Sequence, residues 1–251
     1  MVSSSSLVLA QGTINTQPMI SGVVPSGSDD FSTGGGGFTV SAPVSPETDW
    51  AYSDGAWYSF GTDAGTGVGT NTTYLTTPIY TVSEAGAVEV TFSHSYNFEI
   101  DYDAGALEIS VNGGAFTYLP GSAFTSNGYA ANPLAAATNS ALKEQYGFLG
   151  ESPGYPAFHT TTATLLASAA KGDTVQVRFM GAYDDAFSAG GWKIDSFAIT
   201  NALPTLMKLE WPLGVMQYSD NLQPPWTSLT GSSPLLIDMK AAPKRFFQLK
   251  P

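Results

Sequence analysis

The chain has 251 residues, of which 43% are apolar and only 12% charged, and it contains no cysteine. This length buries a sizeable core, while the lack of cysteine excludes disulfides, thiol catalysis and cysteine-ligated metal sites together. A count of 21 acidic side chains against 9 Lys and Arg, net −12, argues against nucleic acid as a partner, because phosphate binding needs a basic face.

The charge is unevenly placed. Residues 1–200 carry 18 acids against 4 bases (Lys143, Lys171, Arg178 and Lys193), and residues 201–251 carry 3 against 5. Solubility accounts for such a distribution; an acidic body with a mildly basic tail also suits head-to-tail contact. Abundant Gly, Pro, Ser and Thr, with almost no apolar period of 3.6 residues, predict many short strands joined by turns.

In chain order, residues 1–28 read as a Ser/Thr/Gly-rich arm with apolar beads that include Leu7, Leu9, Ile14, Ile20 and Val23. Met1–Ala10 lacks a basic start, and its apolar run is too short to span a membrane. Val8-Leu9-Ala10 before Gln11 has the small-residue look of a cleavage site, so this stretch reads as a signal remnant or a donor strand. Residues 29–201 read as the main sandwich and 202–251 as a small β-module. Within the sandwich, Gly34–Gly37 lacks the following helix and the Gly-Lys-Ser/Thr of a phosphate loop. Trp50–Tyr58 reads as an aromatic hairpin, and 61–73 as a loop ending in the sequon Asn71-Thr72-Thr73.

Two blocks, Val88–Phe116 and Val175–Thr200, read as paired strands around acidic turns. Val88, Val90 and Phe92 alternate with Glu89, Thr91 and Ser93; Leu107, Ile109 and Val111 alternate with Glu108, Ser110 and Asn112; Val175, Val177 and Phe179 repeat the period of a half-buried strand. Asn112-Gly113-Gly114 supplies hairpin turn chemistry. Leu134–Tyr146 is the one segment that reads as a helix or else a loop.

The ordered series Leu75-Thr76-Thr77-Pro78, Val90–Glu99, Tyr102–Gly114, Val175–Phe179 and Gly191-Trp192-Lys193-Ile194-Asp195 resembles the MAM-like jelly-roll domain. That domain accompanies immune-inhibitor-A-type metalloproteases and many large bacterial surface proteins. The likeness spans 29–200 and implies an all-β antiparallel jelly-roll sandwich, extracellular and without a reaction of its own; no His-Glu-x-x-His of a protease half occurs. It also implies a calcium ion clamped between Asp29 or Asp30 at the first strand and Asp195 on the last. Ser32 stands where the family often has Glu. The alternative for these acids is that Asp30 caps a turn and Asp195 bonds backbone. The tail, through Leu209-Glu210-Trp211, Val215–Leu222, Pro224-Pro225-Trp226-Thr227 and Arg245–Leu249, resembles a small C-terminal β-module of secreted proteins from environmental bacteria, with strands expected near 206–211, 214–219, 235–239 and 245–249.

Glu99, Asp101 and Asp103 would share a face if their strand continued, and Asp184-Asp185 sits in another loop. Carboxylates brought that close need a cation or raised pKa values, so a second metal site is weighed against a solvated acidic rim. Trp50, Trp57, Tyr58 and Tyr129 are candidates for stacking on sugar rings, against the alternative that they are core. The two histidines, His94 and His159, lie in no nucleophile-elbow context, and no carboxylate pair is singled out for glycoside hydrolysis. The expectation is therefore a non-enzymatic extracellular structural protein, calcium-stabilised and polymerised by strand exchange through its arm. The alternative is a carbohydrate-binding or adhesive module.

Overall fold

The computed structural model describes residues 21–23, 27–41, 50–59, 71–185, 187, 189–211, 214–221, 223–231, 233, 235–238 and 246–250. Its strands, in chain order, begin with β1 (Ser21–Val23), β2 (Ser28–Asp29), β3 (Thr39–Ser41), β4 (Ala51–Ser53), β5 (Ala56–Ser59), β6 (Asn71–Thr76) and β7 (Tyr80–Val82). They continue with β8 (Gly86–Asn97), β9 (Ala104–Val111), β10 (Thr117–Tyr118), β11 (Phe124–Ser126), β12 (His159–Ala169), β13 (Thr174–Tyr183) and β14 (Gly191–Ile199). The last are β15 (Ala202–Pro204), β16 (Leu206–Glu210), β17 (Val215–Ser219), β18 (Thr227–Ser228), β19 (Leu235–Asp238) and β20 (Phe246–Lys250). Contacts divide the chain into residues 26–204 and a second unit made from 1–25 with 205–251.

The larger unit is an antiparallel jelly-roll sandwich. One seven-stranded sheet runs β11-β12-β8-β14-β5-β4 with β2 added on β14; the other runs β10-β9-β13-β6-β3 with β7 on β13 and β15 on β7. The alternation read from the sequence is the burial pattern: Val88, Val90 and Phe92 of β8 and Val175, Val177 and Phe179 of β13 are buried between the sheets. On β14 the buried residues are Trp192 and Ile194, then Phe197 and Ile199. The break in period falls on Asp195, the extra residue where β14 shifts register against β8, as a β-bulge does.

The pairing within each block differs from the expectation. β8 pairs with β12 and β14 in one sheet, whereas β9 pairs with β10 and β13 in the other. The β8–β9 and β13–β14 connections are therefore arches that cross between sheets, not hairpin turns. Apolar residues on β8 and β9 face each other across the core, which a sandwich satisfies as well as a hairpin satisfies its ladder. True hairpin turns occur at Asp54-Gly55 (φ 50° and 77°) between β4 and β5 and at Asn112-Gly113 (φ 52° and 72°) after β9.

Leu134–Tyr146 is not a helix. It forms turns with an isolated parallel bridge between Leu134 and Lys143, because Leu134 and Leu142 are both drawn onto Ala104, Ala106, Met180 and Ala182 on the outer face of β9 and β13. Thr138 and Ser140 then bond local backbone, the competition with helix that such side chains offer.

The core is rich in rings. Trp192 is fully buried and lies 5.5 Å from Phe148, 5.6 Å from Phe179 and 5.9 Å from Phe98. A Cβ on Gly105 would sit 2.7 Å from the Trp192 ring, so glycine is what lets β9 approach it. Trp192 Nε1–H donates to His94 Nδ1 (3.0 Å). His94 Nε2–H therefore donates to Thr161 Oγ1 (2.8 Å), whose hydroxyl donates to the Asn127 carbonyl (2.7 Å). The direction follows from indole being a donor only. Burial, and then the neighbouring His159, hold the His94 imidazole well below its ordinary pKa; burial lowers His159 as well.

In the smaller unit, one sheet runs β1-β16-β19 and the other β18-β17-β20 around Leu209, Trp211, Met216 and Phe247. Its main strands fall where the tail pattern put them. β1 pairs with β16 inside the chain, Val23 opposite Lys208; Leu7, Leu9, Ile14 and Ile20 lie outside the described residues. Among the described residues no helix is long and apolar enough to cross a membrane.

Two measurements check this core. Trp192→Ala should lower unfolding free energy by about 3–5 kcal/mol in denaturant titration. Both histidines titrate at lower pH folded than unfolded, so at these two groups the unfolded chain binds more protons below pH 6.5 and their contribution to stability should fall as pH drops through that value. In His94→Gln that acid-side loss should be smaller than in the wild type.

Candidate functional site

The topology that turns two expected hairpins into arches also brings their acids together. β8 lies beside β14 and β9 beside β13, all antiparallel, so the β8–β9 arch and the β13–β14 arch emerge at the same end of the sandwich. There Glu99, Asp103 and Asp184 each present an oxygen, all within 4.8 Å of one another.

The first arch is a tight turn. The Glu99 carbonyl accepts from Tyr102 N–H (3.2 Å) and Asp103 N–H (3.0 Å), and Asp101 closes the turn in the left-handed region at φ 71°. It is braced from outside: Phe98 N–H donates to the Gly150 carbonyl, Ala135 N–H to the Asp101 carbonyl, and the Thr138 hydroxyl to the Tyr102 carbonyl. Thus the segment that failed as a helix serves as a prop for the arch.

Asp103 is the floor of the site. Its relative exposure is 0%. Oδ1 accepts from Asp184 N–H (2.8 Å), which ties one arch to the other, and Oδ2 has no hydrogen-bond partner. Burial above all, reinforced by the charges of Asp184 and Glu99, pushes its carboxyl up to about 7. Glu99 Oε2 is likewise buried without a partner, and burial followed by the charge of Asp184 raises its pKa. Orphaned buried oxygens are costly, and a hard divalent cation such as calcium, which takes oxygen ligands from several chain segments, satisfies them. Glu99, Asp103 and Asp184 fit such an ion by donor type and convergence.

Of the other acids considered, Asp101 is exposed with its backbone turned away, and Asp185 is not part of the converging set. At the expected first-to-last-strand clamp, β2 does pair with β14, Asp29 opposite Phe197. Asp29 Oδ1 accepts from Phe31 N–H (2.7 Å), and Asp30 Oδ1 accepts from Ser32 N–H and its hydroxyl. These are local turn bonds. Among the described residues, Asp29, Asp30 and Asp195 do not form a converging set of three.

The proposed stacking aromatics are mostly interior. Trp50 and Trp57 are 3% and 7% exposed, Trp50 packing on Trp192. Tyr129 lies against Phe124 and Phe148 with its hydroxyl accepting from Leu107 N–H. Tyr58 is half-buried with the Lys193 ammonium 5.0 Å from its ring. Tyr52 and Tyr146 are exposed elsewhere; at the arch end the exposed rings are Tyr102 at 38%, Tyr155 at 36%, Phe158 at 42% and Phe187 at 71%. Together with Ile100, they lie on the two arches and on the 148–158 loop, which is fastened to the same end through the Asn97–Glu151 bridge and the bond from Ser152 N–H to the Tyr96 carbonyl.

No family model and no curated protein matches the chain. Among solved structures it is similar to a carbohydrate-binding module in complex with β-1,4-galactotriose, at 14% identity over 65% of this chain and 87% of that one (TM-score 0.35). It is also similar to the C-terminal carbohydrate-binding module of a laminarinase from Zobellia galactanivorans, at 16% over 64% and 99% (TM-score 0.25). A third is the adhesin domain of Epf from Streptococcus pyogenes, at 8% over 88% and 85% (TM-score 0.30). Likenesses this shallow say nothing about ligand or partner.

Without metal, folded Asp103 holds its proton up to about pH 7, whereas the unfolded carboxyl loses it near 3.8. Asp103 therefore binds more proton in the folded chain in that window, and its contribution to stability should decline as pH rises through it, opposite in sign to that of the histidines. Asp103→Asn keeps the acceptor for Asp184 N–H and removes the buried charge. In chelator at pH 8 it should be more stable than the wild type by on the order of 1–4 kcal/mol, read by denaturant unfolding, and it should lose the stabilisation that calcium gives the wild type.

Proposed function

We propose that the chain is an extracellular, non-catalytic binding module of the carbohydrate-binding or adhesive kind, with calcium held at the arch end of its sandwich. The observation that carries this reading is one juxtaposition. Three converging carboxylates, of which Glu99 and Asp103 each have a buried oxygen without a hydrogen-bond partner, share an end of the fold with the exposed rings of Tyr102, Tyr155, Phe158 and Phe187. Tyr52 and Tyr146 are exposed elsewhere in the sandwich, but at this end four exposed rings gather, and a gathered apolar surface signals a contact.

His94 supports a binding role over catalysis. Both ring nitrogens of His94 are consumed by Trp192 and Thr161 in the core, so that imidazole has no free nitrogen for proton transfer. A fibre assembled through residues 1–28 gains no comparable support, since the described strand residues of that segment are already paired, β1 with β16 and Ser28 of β2 with Ala198.

Calcium titrated calorimetrically into the intact chain should show one saturable site that Glu99→Gln and Asp103→Asn weaken at least about tenfold. A glycan array probed with calcium-loaded protein should show selective retention. An array without hits, in calcium and in chelator alike, would remove the carbohydrate reading.

A further inference from the structure

We propose that the cation at Glu99, Asp103 and Asp184 is itself the ligand-binding centre: its outward positions take a vicinal diol of a neutral saccharide, with Tyr102 and Phe187 flanking the sugar ring. This rests on the carbohydrate-binding reading above and specifies how that binding works.

Calcium takes about 6–8 oxygens. Asp103 offers one, because Asp184 N–H holds the other. Even if Glu99 and Asp184 bind through both oxygens, the three described side chains fall short of that number. The shortfall lies on the outer side: Asp103 is sealed beneath, while Glu99 and Asp184 are only half-buried. Two adjacent sugar hydroxyls offer neutral oxygens close enough together to fill neighbouring positions. Tyr102 adjoins Asp103 on the first arch and Phe187 follows Asp184 on the second, and both rings are exposed, so in this proposal they supply apolar faces for the C–H face of a pyranose. Tyr155 extends the rim, its hydroxyl lying where a Cβ on Gly190 would be 2.6 Å away.

Charge selects the class of ligand. Three carboxylates around one divalent ion leave a net negative site, on a segment with 18 acids against 4 bases. A uronate or an anionic lipid headgroup meets repulsion there; a diol does not.

The test uses the intact chain on a panel of neutral polysaccharides, with a polyuronate and phosphatidylserine-containing phosphatidylcholine vesicles as comparators, each in calcium and in EGTA. The expected result is retention on at least one neutral glycan that falls at least about tenfold in EGTA. Circular dichroism should show the protein still folded in EGTA. Tyr102→Ala should weaken glycan binding about tenfold while calorimetric binding of calcium alone is unchanged. Glycan retention that persists in EGTA overturns this inference and leaves the carbohydrate-binding reading standing. Absence of glycan retention in both conditions overturns both. Calcium-dependent capture by the vesicles or the polyuronate, with neutral glycans ignored, overturns the diol and replaces it with an anionic ligand.

Discussion

A single buried carboxylate ties the two arches of this sandwich together. Asp103 is closed off from water, joined through one oxygen to the backbone of the opposite arch, and unpaired at the other. A charged oxygen in that position is tolerated only if it is protonated or meets a cation. Either solution couples the crossing of the sheets to the surrounding solution, so the fold at this end depends on proton or metal concentration in a way the ring-filled centre does not.

The site can be rigid because its supports are. Gly105 lets β9 close onto Trp192, and Trp192 is held in turn by His94, Thr161 and the Asn127 carbonyl. Asp103 stands two residues before Gly105, just ahead of β9, and Asp184 follows directly on Tyr183, whose hydroxyl is buried against Ser59. The acids are thus the first residues beyond a close-packed ring cluster. A site that begins where a dense core ends keeps its geometry without a ligand to organise it.

Alternation made the strands legible in the sequence, because burial on one face imposes a period of two whatever the partner strand is. It could not tell an arch from a hairpin: β8 and β9 carry the same pattern whether they pair edge to edge or face each other across the core. That ambiguity hid the convergence of Glu99 and Asp103 with Asp184, although each residue was visible as an acid near a turn. Asp101 was misleading for a related reason. Its sequence spacing puts it on the face of Glu99 and Asp103 only if the strand continues, and the turn at φ 71° ends it. Among the aromatics, Trp50 and Trp57 stand out by composition, but Trp50, just before β4, packs on Trp192 and Trp57, on β5, donates to the Gly35 carbonyl. Tyr102 and Phe187 are unremarkable by composition and exposed by topology.

The choice of side chain at position 103 carries the last step. An asparagine there would accept the same hydrogen bond from Asp184 N–H and would leave no charge to neutralise, so for a purely structural tie between arches it is the lower-energy solution. The chain instead holds an aspartate, and surrounds it with two further carboxylates that raise the electrostatic strain. Such an arrangement is unfavourable as packing and favourable as a coordination sphere. Clustered anions that destabilise the metal-free fold convert that destabilisation into affinity when a cation arrives. The exposed rings on the same arches would then flank the bound ion, on a frame the core already holds.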